Sequence, residues 1–274
     1  MNEDPARHPL AALAMYDWPE VAWANDTLWD FLRNGLVGRG IDAPMGLSRD
    51  QPYFGPWRSP DLLLAQTCGY PFATELQGLV QLVATPCYSV DGCNGPNYCS
   101  MIVANRTNGP SSLADAGDWT AAINSGHSQS GHWALRAAFA SEPGAVSPRR
   151  AVLSGGHRES LAMVAAGAAD IAAIDAVCWA LALRHYAGTC ARVRVIARSP
   201  MAPGLPLIAA LATPERTILA LRAGLEAAMT ESRLAQARAA LFLSGVEFLP
   251  PAAYQRILDL RTIALGVPFP LIGD

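Results

Sequence analysis

No segment of this chain strings together the roughly 20 apolar residues that a bilayer-spanning helix needs, although 51% of its 274 residues are hydrophobic. The apolar residues come in short runs separated by polar and turn residues, the pattern of a folded core. Charge is sparse as well, at 16% of residues with a formal net charge of -3. Such a chain has no basic field for a polyanion. Its 20 basic residues are scattered and not arrayed along one helix, which argues against nucleic acid as a partner. Cys-x-x-Cys pairs are missing, so a structural zinc site is not expected, and no other metal or cofactor is implied. The six cysteines are even in number. Cys68, Cys87, Cys93 and Cys99 lie close together and could form one or two disulfides in an oxidising compartment, whereas Cys178 sits in an apolar helical run and reads as a small buried hydrophobe. The segment Met1 to His8 is net acidic, and the apolar stretch Leu10 to Met15 is too short for the hydrophobic region of a signal peptide, so no export signal is visible.

What is present is alternation. Leu10 to Met15 reads as a strand, Glu20 to Leu36 as a helix carrying Trp23, Leu28, Phe31, Leu32 and Leu36 near helical spacing, and Asp61 to Ala65 and Val80 to Ala84 as short buried strands. Tyr98 to Ala104 is a further strand. Beyond it come strands at Thr120 to Ile123, Ala151 to Leu153 and Ile171 to Ile174, interleaved with helices at Glu159 to Ala166, closed by Gly167, and Ala176 to Arg184. Val193 to Ala197 leads into the turn-rich stretch Ser199 to Pro206, a hinge candidate, and helices at Glu215 to Met229, Arg233 to Phe242 and Ala252 to Leu265 close the chain. Strands alternating with helices predict an α/β protein built on parallel sheets, with ligands near the carboxyl ends of the strands.

The most informative stretch is Asn124-Ser125-Gly126-His127-Ser128-Gln129-Ser130-Gly131, which joins the strand at Thr120 to a helix running from His132 to Phe139. The first amides of a helix lack intrahelical partners, and the helix dipole adds roughly half a positive charge there. Amides and serine hydroxyls together suit a small anion with several oxygens. Serines in this place also serve as ordinary helix caps, and His157 and Asp175, each just ahead of a helix, have the same plain reading. Tyr16, Asp17 and Trp18 precede the first helix, where they either line a binding site or start the helix and pack against it.

Leu64 to Pro71, Tyr98-Cys99-Ser100, Ser125 to Gly131, Gly155-Gly156-His157 and Gly167 to Asp175 together resemble the phosphate/phosphite/phosphonate substrate-binding proteins of ABC transporters. The resemblance covers nearly the whole chain, and the order of the pieces is more specific than any one of them. It implies the two-lobed type II periplasmic binding protein fold with a central ligand cleft. It further implies one lobe from residues 1–104 plus 198–274, a second from 105–197, and crossover segments near 104–108 and 194–200. It implies a monomer in the periplasm that hands its ligand to an ABC permease and has no catalytic activity. By matched position, Ser128, Gln129, Ser130 and Gly131 would hold the oxyanion, with Tyr98 and His157 completing the shell. Asp175, Gln66, Thr67 and Tyr16 would contact the rest of the ligand.

One departure bears on that ligand. Relatives that recognise aminoalkylphosphonates meet the ammonium group with acidic side chains, and the aligned positions here are Val177 and Leu205. Two alternatives remain open on the sequence. Gly126-His127-Ser128-Gln129 nearly reproduces the nucleophile elbow of α/β-hydrolases, with Ser130 where glycine belongs, and Asp170 or Asp175 followed by His185 would supply a triad around Ser128. No HGGG-type oxyanion loop accompanies it. The other alternative is a cytoplasmic small-anion sensor without a transporter, consistent with the lack of a visible export signal.

Overall fold

A computed structural model of the chain describes residues 8–50, 54–115 and 118–273. The acidic start through Arg7, singled out above, lies outside them. The residues gather into two compact units, one running through Ser89 and taking up Gly204–Ala253, the other comprising Val90–Pro203 and Tyr254 onward.

The first unit is built on a five-stranded sheet ordered Leu10–Ala12, Leu62–Gln66, Leu207–Ala210, Val80–Tyr88, Leu243–Glu247. All five residues of Leu62–Gln66 are buried, as expected of a strand covered on both faces. Helices Ala22–Val37 and Glu215–Thr230 bring Leu28, Trp29, Leu32 and Leu36, and Ile218, Leu221 and Leu225, into the core above it. Burying a side chain of this size stabilises by about 1.5–3 kcal/mol, so this helical stripe is what pins the sheet.

The second unit carries a six-stranded sheet ordered Val193–Arg198, Ser100–Asn105, Ile171–Asp175, Thr120–Ile123, Arg150–Leu153, Ile272–Gly273. Its centre is parallel: Thr120–Ile123 pairs in parallel with both Arg150–Leu153 and Ile171–Asp175. Ser100–Asn105 runs antiparallel to Ile171–Asp175, with Ser100 opposite Asp175. One edge of this sheet therefore collects the loops after Ile123, Leu153 and Asp175 together with the chain just before Ser100. Helices Ala134–Ser141, His157–Ala166, Ala176–His185 and Gln255–Leu265 accompany it. Gly167 closes His157–Ala166 with φ of 76°, a left-handed turn that glycine adopts without steric cost.

The structure amends the sequence reading in three places. Neither sheet is purely parallel, because Leu207–Ala210 and Leu243–Glu247 enter the first antiparallel to their neighbours, as Ser100–Asn105 does in the second. The boundaries also fall elsewhere than at 104 and 198: Val90–Ala104 and the last helix belong to the second unit. Ser100–Ala104 is hydrogen-bonded to Ile171–Asp175, and Gln255–Leu265 packs on Ala134–Ser141. The third concerns the cysteines: Cys87 and Cys99, two of the four that could have formed disulfides, are free thiols, and Cys178 is buried as expected. The Ser199 to Pro206 stretch does contain a unit boundary, at Pro203/Gly204.

Candidate functional site

Ile123 ends the central strand, and Asn124 begins the turn that the site is built on. The Asn124 Oδ1 accepts the Ser125 amide at 2.9 Å, and the Ser128 amide donates to the Ser125 carbonyl at 3.1 Å. Ser128 then caps the helix, its Oγ accepting the Gly131 amide at 2.9 Å. The first turn, Gln129–Trp133, is a π-helical turn that passes into Ala134–Ser141. Such wide turns are uncommon and concentrate at functional sites. Gly131 is required by close approach, since a Cβ there would lie 1.9 Å from Asn124 Oδ1.

The neighbouring loop, after Leu153, brings in the histidine. His157 Nε2 lies 2.8 Å from Ser130 Oγ and 3.5 Å from Asn124 Nδ2, while its Nδ1 is wholly enclosed. Burial drives the ring toward its neutral form, down to about 4 from an ordinary 6.5, with the Ala173 carbonyl partly opposing the shift. His157 is half-buried as a whole residue, whereas His132 is buried and is lowered for the same reason. On the third strand, Asp175 is buried and caps Ala176–His185, its Oδ1 accepting the amides of Val177 at 2.7 Å and Cys178 at 3.1 Å. Tyr98 is buried on the short strand Asn97–Tyr98, two residues before Ser100, which places it beside the sheet edge that carries Asp175.

The predicted residues Ser128, Gln129, Ser130, Gly131, His157 and Asp175 thus sit at one end of the six-stranded sheet, while Tyr98 belongs to a small three-stranded sheet of the same unit, where it pairs with Ala202 and Cys93. Gln66, Thr67 and Tyr16 belong to the other unit. There Gln66 Nε2 donates to the Tyr88 hydroxyl at 3.0 Å, and Tyr16 and Tyr88 meet edge to face with ring centres 5.3 Å apart. Tyr16, Gln66 and Tyr88 line a cavity of about 40 Å³ whose other walls include Leu13, Leu28 and Leu64. Thr67 is fully buried and its amide donates to the Pro206 carbonyl. Asp17 is held by Arg49 and Asn25, and Trp18 is packed inside.

The site of the second unit has a notable charge pattern. The chain contains no lysine. Arg158, next to His157, is turned onto the Tyr186 ring and donates to the Tyr186 hydroxyl. Hydroxyls, amides and the end of a helix are the donor groups that remain. Asn124, in contact with Ser125 and His157, is a candidate that the sequence reading did not single out. Its signal was a side chain with both a donor and an acceptor placed directly after a strand and before the serine loop. Among the described residues no group of three or more His, Cys, Asp or Glu is placed to hold a metal ion, and no helix is long and apolar enough to cross a membrane.

The arrangement does not assemble a hydrolase triad on Ser128. Its Oγ accepts the Gly131 amide as a helix cap, Asp170 accepts the Thr120 amide at the opposite end of that strand, and Asp175 caps its own helix, so neither carboxylate is placed as the acid of a triad. The histidine that reaches a serine is His157, and the serine is Ser130.

A mixed α/β chain with an anion-suited turn at the carboxyl edge of a sheet is the class of the type II periplasmic binding proteins, and the comparisons place it there. Residues 59–252 match the family described as ABC transporter, phosphonate, periplasmic substrate-binding protein, and the chain belongs to that family. It is a substrate-binding protein and not an enzyme. PhnD1 from Prochlorococcus marinus in complex with methylphosphonate is similar in fold, with a TM-score of 0.72 at 14% identity over 94% of this chain and 98% of that one. A binding protein component of an ABC phosphonate transporter from Pseudomonas aeruginosa gives 0.69 at 18% identity, over 94% and 86%. XAC2383 from Xanthomonas citri, bound to ATP, gives 0.68 at 15% identity, over 94% and 97%. No curated protein matches the sequence.

Proposed function

We propose that this protein captures a small phosphonate- or phosphate-like oxyanion and delivers it, as a monomer in the periplasm, to an ABC permease. The observation that carries this reading is the Ser128–Gly131 turn with Ser130 Oγ and His157 Nε2 2.8 Å apart at the carboxyl end of a parallel strand. A tetrahedral oxyanion offers more hydrogen-bonding positions than one helix end can fill, and the hydroxyls of Ser128, Ser130 and Tyr98, with Ser130 held in place by the ring of His157, supply the additional contacts. Val177 and Leu205 are both buried and apolar, which favours a ligand without an ammonium group.

Isothermal titration with methylphosphonate, phosphite, phosphate and 2-aminoethylphosphonate tests the proposal. Heat and saturation are expected with at least one of the first three, and weaker binding or none with the amine. Ser130→Ala is expected to weaken that binding by about 1–3 kcal/mol with the fold intact. Silence from all four ligands, at concentrations where the protein is folded, would overturn the assignment.

A further inference from the structure

The hydrogen-bond geometry around Ser130 fixes which way its hydroxyl points. The Asn124 side chain is held in one orientation, because its Oδ1 accepts the Ser125 amide at 2.9 Å and it approaches Gly131 so closely that a Cβ there would lie 1.9 Å from Oδ1. Its Nδ2 therefore faces His157 Nε2, at 3.5 Å, the long end of hydrogen-bond range. An amide nitrogen can only donate, so the nitrogen it faces is the unprotonated one. The ring proton then belongs on Nδ1, which is enclosed and has no hydrogen-bond partner among the described residues. With Nε2 bare, the 2.8 Å contact must be Ser130 Oγ donating its proton to the ring.

That leaves Ser130 with lone pairs and no proton to offer. Resting on the proposed oxyanion site, we infer that Ser130, oriented by Asn124 and His157, accepts a hydrogen bond from the ligand, so that the protein selects the singly charged, protonated oxyanion R–PO2(OH)⁻ over the dianion. The P–OH donates to Ser130 Oγ, and Oγ–H donates to His157 Nε2. A dianion would set its own lone pairs against those of Oγ, with no cation from Arg158, which is engaged by Tyr186, to compensate. Backbone amides at the helix start still take the two unprotonated oxygens.

The other ionisable groups around the pair do not mimic this selection. His132 shares its helix and is buried with Nδ1 3.0 Å from the Gly126 carbonyl, and Arg136 donates to the Ala264 carbonyl. Asp175 is committed to the helix it caps, the Cys178 thiol is pushed far up by burial, and Glu159 lies beside Gly156. Tyr98 lies beside the sheet edge that carries Asp175. His157 itself stays neutral throughout the neutral range, its value having been pushed down to about 4. His127 is the exposed histidine of the loop, and the variant His127→Gln controls for it.

The test is titration calorimetry of the full chain with methylphosphonate and with inorganic phosphate, across the second ionisation of each, with sulfate as the anion that carries no proton. Affinity is expected to hold constant below that ionisation and to fall about tenfold per pH unit above it, as the monoanion is depleted. The fall should shift with the ligand's own ionisation and persist in His127→Gln, and sulfate should bind at least about tenfold more weakly than phosphate. In Ser130→Ala, checked for an unchanged cooperative melt, the preference for the protonated form should disappear while weaker binding survives. Affinity that rises as the dianion forms, or equal binding of sulfate and phosphate, overturns the inference and leaves the oxyanion receptor standing. No binding of any oxyanion overturns both.

Discussion

His157 makes stability depend on pH in a calculable way. Burial lowers its value to about 4 in the folded protein, against an ordinary 6.5 when the chain is unfolded. A group lowered in this manner takes up a proton more readily in the unfolded state, so folding is penalised wherever the unfolded ring is charged and the folded ring is not. The penalty is absent above the unfolded value, grows as pH falls through about 6.5, and levels off near 4. At about 1.36 kcal/mol per pH unit, the full gap amounts to at most ~3 kcal/mol, of which about 2 kcal/mol accrues between pH 6.5 and pH 5, before most carboxylates titrate. Urea unfolding of the ligand-free protein at several pH values in that interval measures it. His132 is lowered in the same direction and contributes to the total, so the decisive quantity is the difference from His157→Gln, which should lose about 2 kcal/mol of the dependence. If His157→Gln keeps the whole slope of the parent protein, the ring is not a buried neutral group, and the orientation assigned to Ser130 fails with it.

Two substitutions probe the surrounding frame. Gly131→Ala should destabilise by about 1–3 kcal/mol in denaturant unfolding, because the new methyl must displace the Asn124 amide from 1.9 Å, and it should also blunt the ligand's pH preference by freeing the histidine tautomer. Asp175→Asn keeps a capping oxygen while removing the charge and should cost less than about 1 kcal/mol, against about 1–2 kcal/mol for Asp175→Ala. Binding of methylphosphonate should be undiminished in Asp175→Asn, and a large loss there would make Asp175 a direct contact to ligand.

Features set by neighbours in sequence were readable before any coordinates. Thr120–Ile123 is a compact apolar run stopped by Asn124-Ser125-Gly126, and local chemistry alone delimits it. Gly167 at a helix end and Asp175 just before one follow from capping rules that act over a few residues. Leu207–Ala210 was not readable, because it follows a proline-rich turn, is only four residues long, and owes its burial to Leu62–Gln66 and Val80–Tyr88 far away in sequence. Leu243–Glu247 is interrupted by Gly245 and half exposed, so it carries no alternating signal. The helix read at Ala252 to Leu265 begins with a 3-10 turn, Pro251–Tyr254, since two consecutive prolines, Pro250 and Pro251, withhold amide donors there. At the site, the serine loop showed itself through composition. The partner of Ser130 did not, because His157 reaches it from another strand's loop, and the proton direction between them depends on Asn124 and Gly131 held in one fixed arrangement.

The proposed oxyanion turn, built on hydroxyls, amides and a helix end, meets a different balance from a site built on ion pairs. A guanidinium placed there would have to be desolvated in the empty protein, and such a charge is costly unless paired. Neutral donors and a helix end avoid that cost, and the discrimination they provide comes from the direction of each hydrogen bond more than from total charge. The same reasoning extends to the ligand's tail. Val177 and Leu205, each buried within its own unit at 1% and 3% exposure, offer nothing that an ammonium group can bond to, and a cation brought against them would lose its hydration without return. Hydrogen bonds directed at the oxyanion, and the apolar residues Val177 and Leu205, are the grounds on which we propose a ligand whose recognised chemistry is concentrated in the oxyanion itself.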